Sequence, residues 1–292
     1  MSILVVGASG AVGGGIARKL ASQNQKVTAL IRRGVAHPKA KPLLSAGVEI
    51  VEGDLTIPET LEKATKHTET VISTATSMPT GAEDGLLRVD HDGTLSLIDA
   101  AERQGVRRFV YVSYSGNIRE DSPLETAKRT CEGRLLGSKM QVVVLRPSYF
   151  MEVWLSPALG FDPASGTARI YGPGTAKVSY VSAADVAEFG VKAATTNYPD
   201  QNTILEIGGP DPLSQLEAVA IFEQTLGRKT KLDYVLVEGL QSQHQSGDPL
   251  QTTFAALMLA YAKGDVISDA AAVARQHAIP LRSVAQYAAS MT

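Results

Sequence analysis

Two stretches of this 292-residue chain have the residue types and spacing for recognising a dinucleotide. The first is Gly7-Ala8-Ser9-Gly10-Ala11-Val12-Gly13, directly after the apolar run Ile3 to Val6. A G-x-x-G-x-x-G turn between a strand and a helix gives each glycine a task at a pyrophosphate. One allows the tight turn, one lets the backbone approach the phosphates, and one lets the helix pack closely on the sheet. The helix N-terminus then offers unbonded N–H groups and a partial positive charge to an anion, and Ser9 adds a hydroxyl. A phosphate loop of the Gly-Lys-Ser/Thr kind is excluded, because Ile16 and Ala17 follow Gly15. The competing reading is an ordinary glycine turn.

The second stretch is Arg32-Arg33, which closes the β-branched run Lys26 to Ile31. About 20 residues past the glycines, an NAD-binding unit places a carboxylate on the ribose 2′-OH. This chain has Arg33 there. A guanidinium binds a 2′-phosphate through paired N–H bonds, whereas a carboxylate would repel it. The expectation is NADP(H) rather than NAD(H), against the alternative of a solvated basic turn.

Composition narrows the class. The hydrophobic content is 44% and the net charge −2. That is enough apolar material for a full core and a second lobe, and no electrostatic grip on nucleic acid or an anionic membrane is expected. A single cysteine, Cys131, excludes an internal disulfide framework and fits a reducing compartment. The first strand begins by residue 3, so a cytoplasmic protein without a signal peptide is expected. No apolar run approaches the roughly 18 residues of a membrane span. The five histidines are scattered without ligand spacing, and no metal is expected.

The elements that must position these residues alternate. Strand patterns at residues 3–6, 26–31, 48–51, 70–75, 108–113 and 142–145 are separated by helical ones at 58–66, 86–104 and 123–136. Such alternation signals a doubly wound α/β fold, a Rossmann-type parallel sheet with helices on both faces. Residues 1–150 are expected to form this cofactor domain. Residues 151–292 read as a smaller α+β substrate lobe, some of whose segments return to the sheet. Within it, Gly160 to Gly174 reads as a long Gly/Pro/Ser loop, Thr203 to Ile207 and Leu232 to Val235 as strands, and the last third as two or three helices.

Taken in order, the Gly7–Gly13 turn, Arg32-Arg33, Gly53-Asp54-Leu55, Val110-Tyr111-Val112-Ser113 and Leu145-Arg146-Pro147 form a recognisable series. Phe150-Met151-Glu152, Val181 to Val186 and Ile207-Gly208-Gly209-Pro210 continue it. The chain resembles the NmrA-like group of atypical short-chain dehydrogenase/reductases, in particular its dye- and quinone-reducing branch. The resemblance implies an NADP(H)-binding domain and one of two roles. These are reduction of a small aromatic or quinone-like acceptor by a monomer or homodimer, or redox sensing through a protein partner. It implies that Asp54 and Leu55 lie beside the adenine, with a helix cap as the other reading of Asp54. Ser73, Thr74, Ala75 and Thr76 would pass under the ribose and pyrophosphate, with an ordinary strand end as the other reading. Tyr149 and Phe150 would flank the nicotinamide, and Met151 and Trp154 the substrate, with plain core packing as the alternative.

The wider superfamily places its catalysis on Ser, Tyr and Lys, the last two as Tyr-x-x-x-Lys on one helix face. Ser113 and Lys128 stand at the serine and lysine positions, but residue 124 is Leu. The usual proton donor is therefore missing. Tyr114 is a poor substitute if the strand continues, since neighbours on a strand face opposite ways. Reducing a simple ketone needs an acid near its oxygen. An electron-poor quinone or azo compound accepts hydride with little more than correct orientation. Lys128 is read as acid or anchor, or else as a surface lysine paired with Glu132. Cys131 reads as a small buried hydrophobe rather than a nucleophile. A sugar-nucleotide epimerase is disfavoured without the tyrosine.

Overall fold

Strands that bury both faces are short apolar runs rather than alternating ones, and Ser2–Val6 and Arg108–Val112 are of this kind. The computed structural model describes residues 1–78 and 85–291. The chain divides into two compact units. The first is Met1–Ser113, Thr126–Leu145 and Ala187–Leu205, and the second is Tyr114–Glu125, Arg146–Val186 and Glu206–Thr292. The last residue of the expected lobe, Thr292, lies outside the described residues.

The main sheet contains β1 (Ser2–Val6), β2 (Lys26–Ile31), β3 (Glu49–Glu52), β4 (Thr70–Ser73), β5 (Arg108–Val112) and β6 (Gln141–Pro147). Later strands are β7 (Phe161–Asp162), β8 (Thr167–Tyr171), β9 (Lys177–Val178), β10 (Asn202–Ile207), β11 (Leu213–Ser214) and β12 (Lys231–Val235). The sheet has seven strands in the order β10-β6-β5-β4-β1-β2-β3. Val5 pairs in parallel with Ala29 on one side and Ile72 on the other. The strand order therefore reverses between β1 and β4, the switch point at whose carboxyl edge open α/β sheets bind ligands. This is the Rossmann-like α/β fold, with β10 added as a seventh strand.

The helices are α1 (Ala11–Ser22), α2 (Ala40–Ser45), α3 (Pro58–Thr65), α4 (Thr94–Arg103), α5 (Pro123–Leu136), α6 (Met151–Trp154) and α7 (Ala183–Thr195). There follow α8 (Gln215–Leu226), α9 (Val237–His244), α10 (Pro249–Lys263), α11 (Ala270–Gln276) and α12 (Val284–Ala289). None is long and apolar enough to cross a membrane among the described residues. In the first unit, Leu4, Val6, Phe109, Tyr111, Val142 and Val144 pack with Leu97, Ile98, Cys131 and Leu135 of the helices.

Two expected elements differ. The helix read from Leu86 to Gln104 is instead a π-helical segment, Leu86–Gly93, followed by α4. The apolar spacing cannot separate the two, and local contacts decide. Thr94 Oγ1 donates to Val89 O, five residues back, at 3.1 Å. A Cβ on Gly93 would lie 2.8 Å from Arg88 O and 2.9 Å from Leu55 Cβ. Residues 160–174 are not one loop, because they contain β7 and β8, paired antiparallel. The glycines and prolines there mask Thr-Ala-Arg-Ile-Tyr, whose alternate burial marks β8 as a strand. β8 pairs in parallel with β12.

In the second unit, α8 opens with a capping box. Glu217 N donates to Ser214 Oγ at 3.2 Å, and Ser214 N donates to Glu217 Oε2 at 2.7 Å. Lys177 Nζ also donates to Glu217, and this bond foremost, with the Ser214 amide, holds the carboxyl at about 2 rather than 4.5. A depressed folded value adds stability above about pH 4.5 that fades as pH falls toward 2. The group is half exposed, so the contribution is small. Glu217→Gln is expected to lose about 0.5–1 kcal/mol in urea denaturation at pH 7, with the gap to wild type narrowing below pH 4.5.

Candidate active site

The glycine turn sits at the switch point. Gly7 follows β1 with φ +86°, a left-handed conformation that suits glycine. A Cβ there would fall 2.5 Å from Thr74 Oγ1 and 2.8 Å from Ala75 N, just past β4. A Cβ on Gly13 would lie 2.5 Å from both Gly7 O and Thr74 Oγ1, so α1 starts in direct contact with the turn. Thr74 N donates to Val6 O at 2.9 Å and Thr74 Oγ1 to the same oxygen at 3.2 Å, which locks the two strand ends together. Gly10, at the N-cap of α1, makes no side-chain cap bond, and no acidic residue occupies the first turn. Gly10 and Ala11 are exposed, Ser9 and Val12 partly so. The N-terminus of a 12-residue helix is thus left open to an anion.

Arg32 and Arg33 follow β2 and are both exposed. Neither guanidinium is tied to another described residue, which leaves both available to a ligand. Asp54 is held in a local turn: its Oδ1 accepts from Thr56 N and Thr56 Oγ1, each at 2.9 Å, ahead of α3. It is not the N-cap, which is Ile57. Leu55 is buried in the first unit's core. Ala75 is partly exposed and Thr76 exposed, with Thr76 Oγ1 accepting from Met78 N at 3.2 Å.

The fold buries Lys128, so the surface-lysine reading does not hold. Its side chain is 7% exposed, and its Nζ lies 3.8 Å from Asp90 Oδ1. It donates to Val112 O at 3.5 Å and lies over the Tyr111 ring, 5.1 Å from the centroid. Glu132, expected to support it one turn on, instead accepts from Arg129 at 2.7 Å. Ser113 is buried, its N donates to Leu145 O at 2.8 Å, and its Oγ has no hydrogen-bond partner among the described residues. β5 ends at Val112, so strand alternation places no constraint on Tyr114, which packs against the second unit's core. Leu124 is buried. Cys131 is buried and donates weakly to Asp90 O at 3.5 Å. Burial pushes its thiol up to about 11, against the pull of Lys128. That keeps it protonated and inert at neutral pH.

In the second unit, Tyr149 is buried at the end of β6, and its hydroxyl donates to Leu257 O at 3.0 Å. Trp154 stacks edge-on to Tyr149, with centroids 4.6 Å apart, and lies 4.5 Å from Tyr261. Met151 is fully buried, whereas Phe150 and Trp154 remain partly exposed. Burial, reinforced by Asp265, raises the Tyr149 hydroxyl well above its ordinary value. It is therefore held neutral by this environment and is a donor, not a base.

The family model that describes the NmrA-like family matches residues 1–278. The chain belongs to that family. Among its relatives, the photosystem II assembly factor Ycf39 of Guillardia theta is 29% identical over 234 residues, 80% of this chain and 72% of that one. An NAD(P)H azoreductase of Xenophilus azovorans is 29% identical over 245 residues, 81% of this chain and 78% of the other. The NADPH-dependent quinone oxidoreductase QOR2 of Escherichia coli, solved with NADPH, superposes with a TM-score of 0.80. That match covers 100% of this chain and 99% of QOR2 at 18% identity, a likeness of fold.

In this NmrA-like protein the residue that reading the sequence missed is Asp90. It is 38 positions from Lys128 along the chain and faces it from the π segment. The one available signal was an acidic residue on the apolar side of an expected helix.

Proposed function

We propose that this chain is an NADPH-dependent reductase of quinone-like, azo or other conjugated small acceptors. The observation that carries the reading is the cradle at the switch point, where Gly7, Gly13 and Thr74 pack so closely that no Cβ fits. An open helix end and two exposed arginines tied to no other described residue accompany it. Gly10, Ala11, Val12 and Gly13 would hold the pyrophosphate, Arg32 and Arg33 the 2′-phosphate, and Thr74 to Thr76 would pass under the ribose and pyrophosphate. Asp54 and Leu55 would lie toward the adenine, although Asp54 Oδ1 is already bonded to Thr56. When bound, the cofactor supplies a hydride. Lys128 is the acid that protonates the reduced acceptor, a role that Leu124 cannot fill. Ser113, whose Oγ has no hydrogen-bond partner among the described residues, is assigned to hold the acceptor's polar atom. Phe150 and Trp154, both partly exposed, would supply flat apolar surface suited to conjugated rings, with the buried Tyr149 packed edge-on against Trp154.

The test is NADPH oxidation across a panel of quinones and azo dyes. Turnover with at least one class supports the reading; tight NADPH binding with no turnover anywhere rejects it. Trp154→Ala is expected to lower kcat/KM for an aromatic acceptor about tenfold, from the loss of roughly 1.4 kcal/mol of ring contact. NADPH affinity, by titration of its fluorescence, is expected to stay the same.

The similarity to assembly factors favours a second reading, in which the protein binds NADP(H) and reports its redox state to a protein partner. Its signature would be no turnover, strong discrimination between NADP⁺ and NADPH, and a partner whose binding depends on which is bound.

A further inference from the structure

A buried ammonium and a buried carboxylate are each expensive alone and tolerable together. Asp90 is fully buried. Its Oδ2 accepts from Ser77 N at 2.8 Å and Ser77 Oγ at 2.6 Å. Its Oδ1 has no hydrogen-bond partner among the described residues and lies 3.8 Å from Lys128 Nζ. The two oxygens are thus divided, one anchoring the chain beyond β4 and one facing the lysine.

We propose that Asp90 is a positioning residue for Lys128: it faces the lysine from the π segment, and its carboxylate is the counter-ion that holds the buried ammonium in place as the proton source for the reduced acceptor. This rests on the reductase reading. The acceptor gains both electrons with the hydride. An N–H bond of the ammonium then breaks and an O–H or N–H bond forms on the acceptor. The neutral amine regains its proton from bulk water, and nothing else changes oxidation state.

The other ionisable groups around Lys128 do not substitute for Asp90. Tyr111 presents its ring from β5, and its hydroxyl is raised well above its ordinary value by burial. Cys131, on the lysine's own helix, is held protonated. Glu132 and Arg129 pair with each other. On the π segment His91 and Asp92 pair with each other at 2.7 Å. Among the described residues the ion pair of Lys128 is with Asp90. The π geometry supports the assignment too, since such turns cluster at functional sites.

Asp90→Asn keeps the size of the side chain and an acceptor for Ser77 but removes the charge. A buried lysine without its counter-ion gives up its proton more readily. Two readouts follow. In the protein without cofactor, acetylation of Lys128 at pH 8, followed by peptide mass spectrometry, is expected to speed up at least fivefold in D90N. In Ser77→Ala, which loosens the anchor and leaves the charge, it is expected to stay within twofold. With a quinone acceptor, the alkaline limb of kcat/KM is expected to move down by about one pH unit in D90N. An unchanged Lys128 acetylation rate in D90N, or an equal rise in Ser77→Ala, overturns the proposal. If D90N does not fold, the double variant Asp90→Asn/Lys128→Met decides. It should recover at least half of the Tm lost by Lys128→Met alone, and additive losses overturn the pairing. Because acetylation and Tm need no turnover, a wild type inactive on every acceptor rejects the reductase and still leaves the pairing decided.

Discussion

Replacing Arg32 with Asp and Arg33 with Ala is expected to weaken NADPH binding about 100-fold and to leave NADH binding unchanged or improved. The magnitude follows from charge-assisted hydrogen bonds, worth about 1.5–3 kcal/mol each when made to a phosphate. Losing the equivalent of one or two corresponds to about two decades in Kd. The substituted carboxylate repels a 2′-phosphate but accepts from a free 2′-OH, so the two cofactors respond with opposite signs. Both side chains are exposed and neither is tied to a described residue, so the fold should be indifferent to the change and Tm should hold. Fluorescence titration with each cofactor reads the result, and undiminished NADPH affinity would remove these arginines from the site. The effect should also shrink as salt rises, because exposed charges are screened over about 10 Å at 0.1 M.

Local signals were legible in the sequence, and long-range pairings were not. The glycine turn, the six central strands and the arginines after β2 are each written in fewer than ten consecutive residues, and the structure places Gly7, Gly13 and Thr74 within touching distance at the switch point. Residues 160–174 were misread because a five-residue strand bounded by Gly166 and Gly172 has too little periodicity to show against its turns. The lysine environment failed for a different reason. Spacing along α5 pointed to Glu132 as the partner of Lys128, since residues four apart share a helix face. Arg129 takes that carboxylate, and Asp90 supplies the counter-charge from another element. The spacing of Asp90 puts it on the apolar side of the expected helix, but nothing in one dimension says that it faces Lys128. For Tyr149 and Trp154 the sequence showed large aromatics at a strand end but not the rings around them, since Tyr171 and Tyr261 come from β8 and α10.

Gly10→Ala and Gly13→Ala are expected to separate binding from stability within one turn. A Cβ on Gly13 would stand 2.5 Å from Gly7 O and from Thr74 Oγ1, and 2.8 Å from Gly7 C. Two of those atoms are backbone, which cannot rotate away, so α1 must move off the sheet. Overpacking of this kind typically costs about 1–3 kcal/mol, and the same shift misaligns the first-turn N–H groups. Gly13→Ala should therefore lower Tm by several degrees and NADPH affinity at least 30-fold. Gly10 differs in both respects. Its φ of −81° suits any residue, and its nearest obstacle is Gly7 O at 3.2 Å. Its Cβ would project from an exposed position, where the backbone would approach the phosphates. Gly10→Ala should hold Tm within about 2 °C and still weaken NADPH at least tenfold, because the added methyl occupies the approach that glycine leaves free. Thermal unfolding by circular dichroism and NADPH fluorescence titration on both variants check the contrast. Equal losses of Tm would make the turn a packing device throughout. Full NADPH affinity in Gly10→Ala would place the phosphates elsewhere.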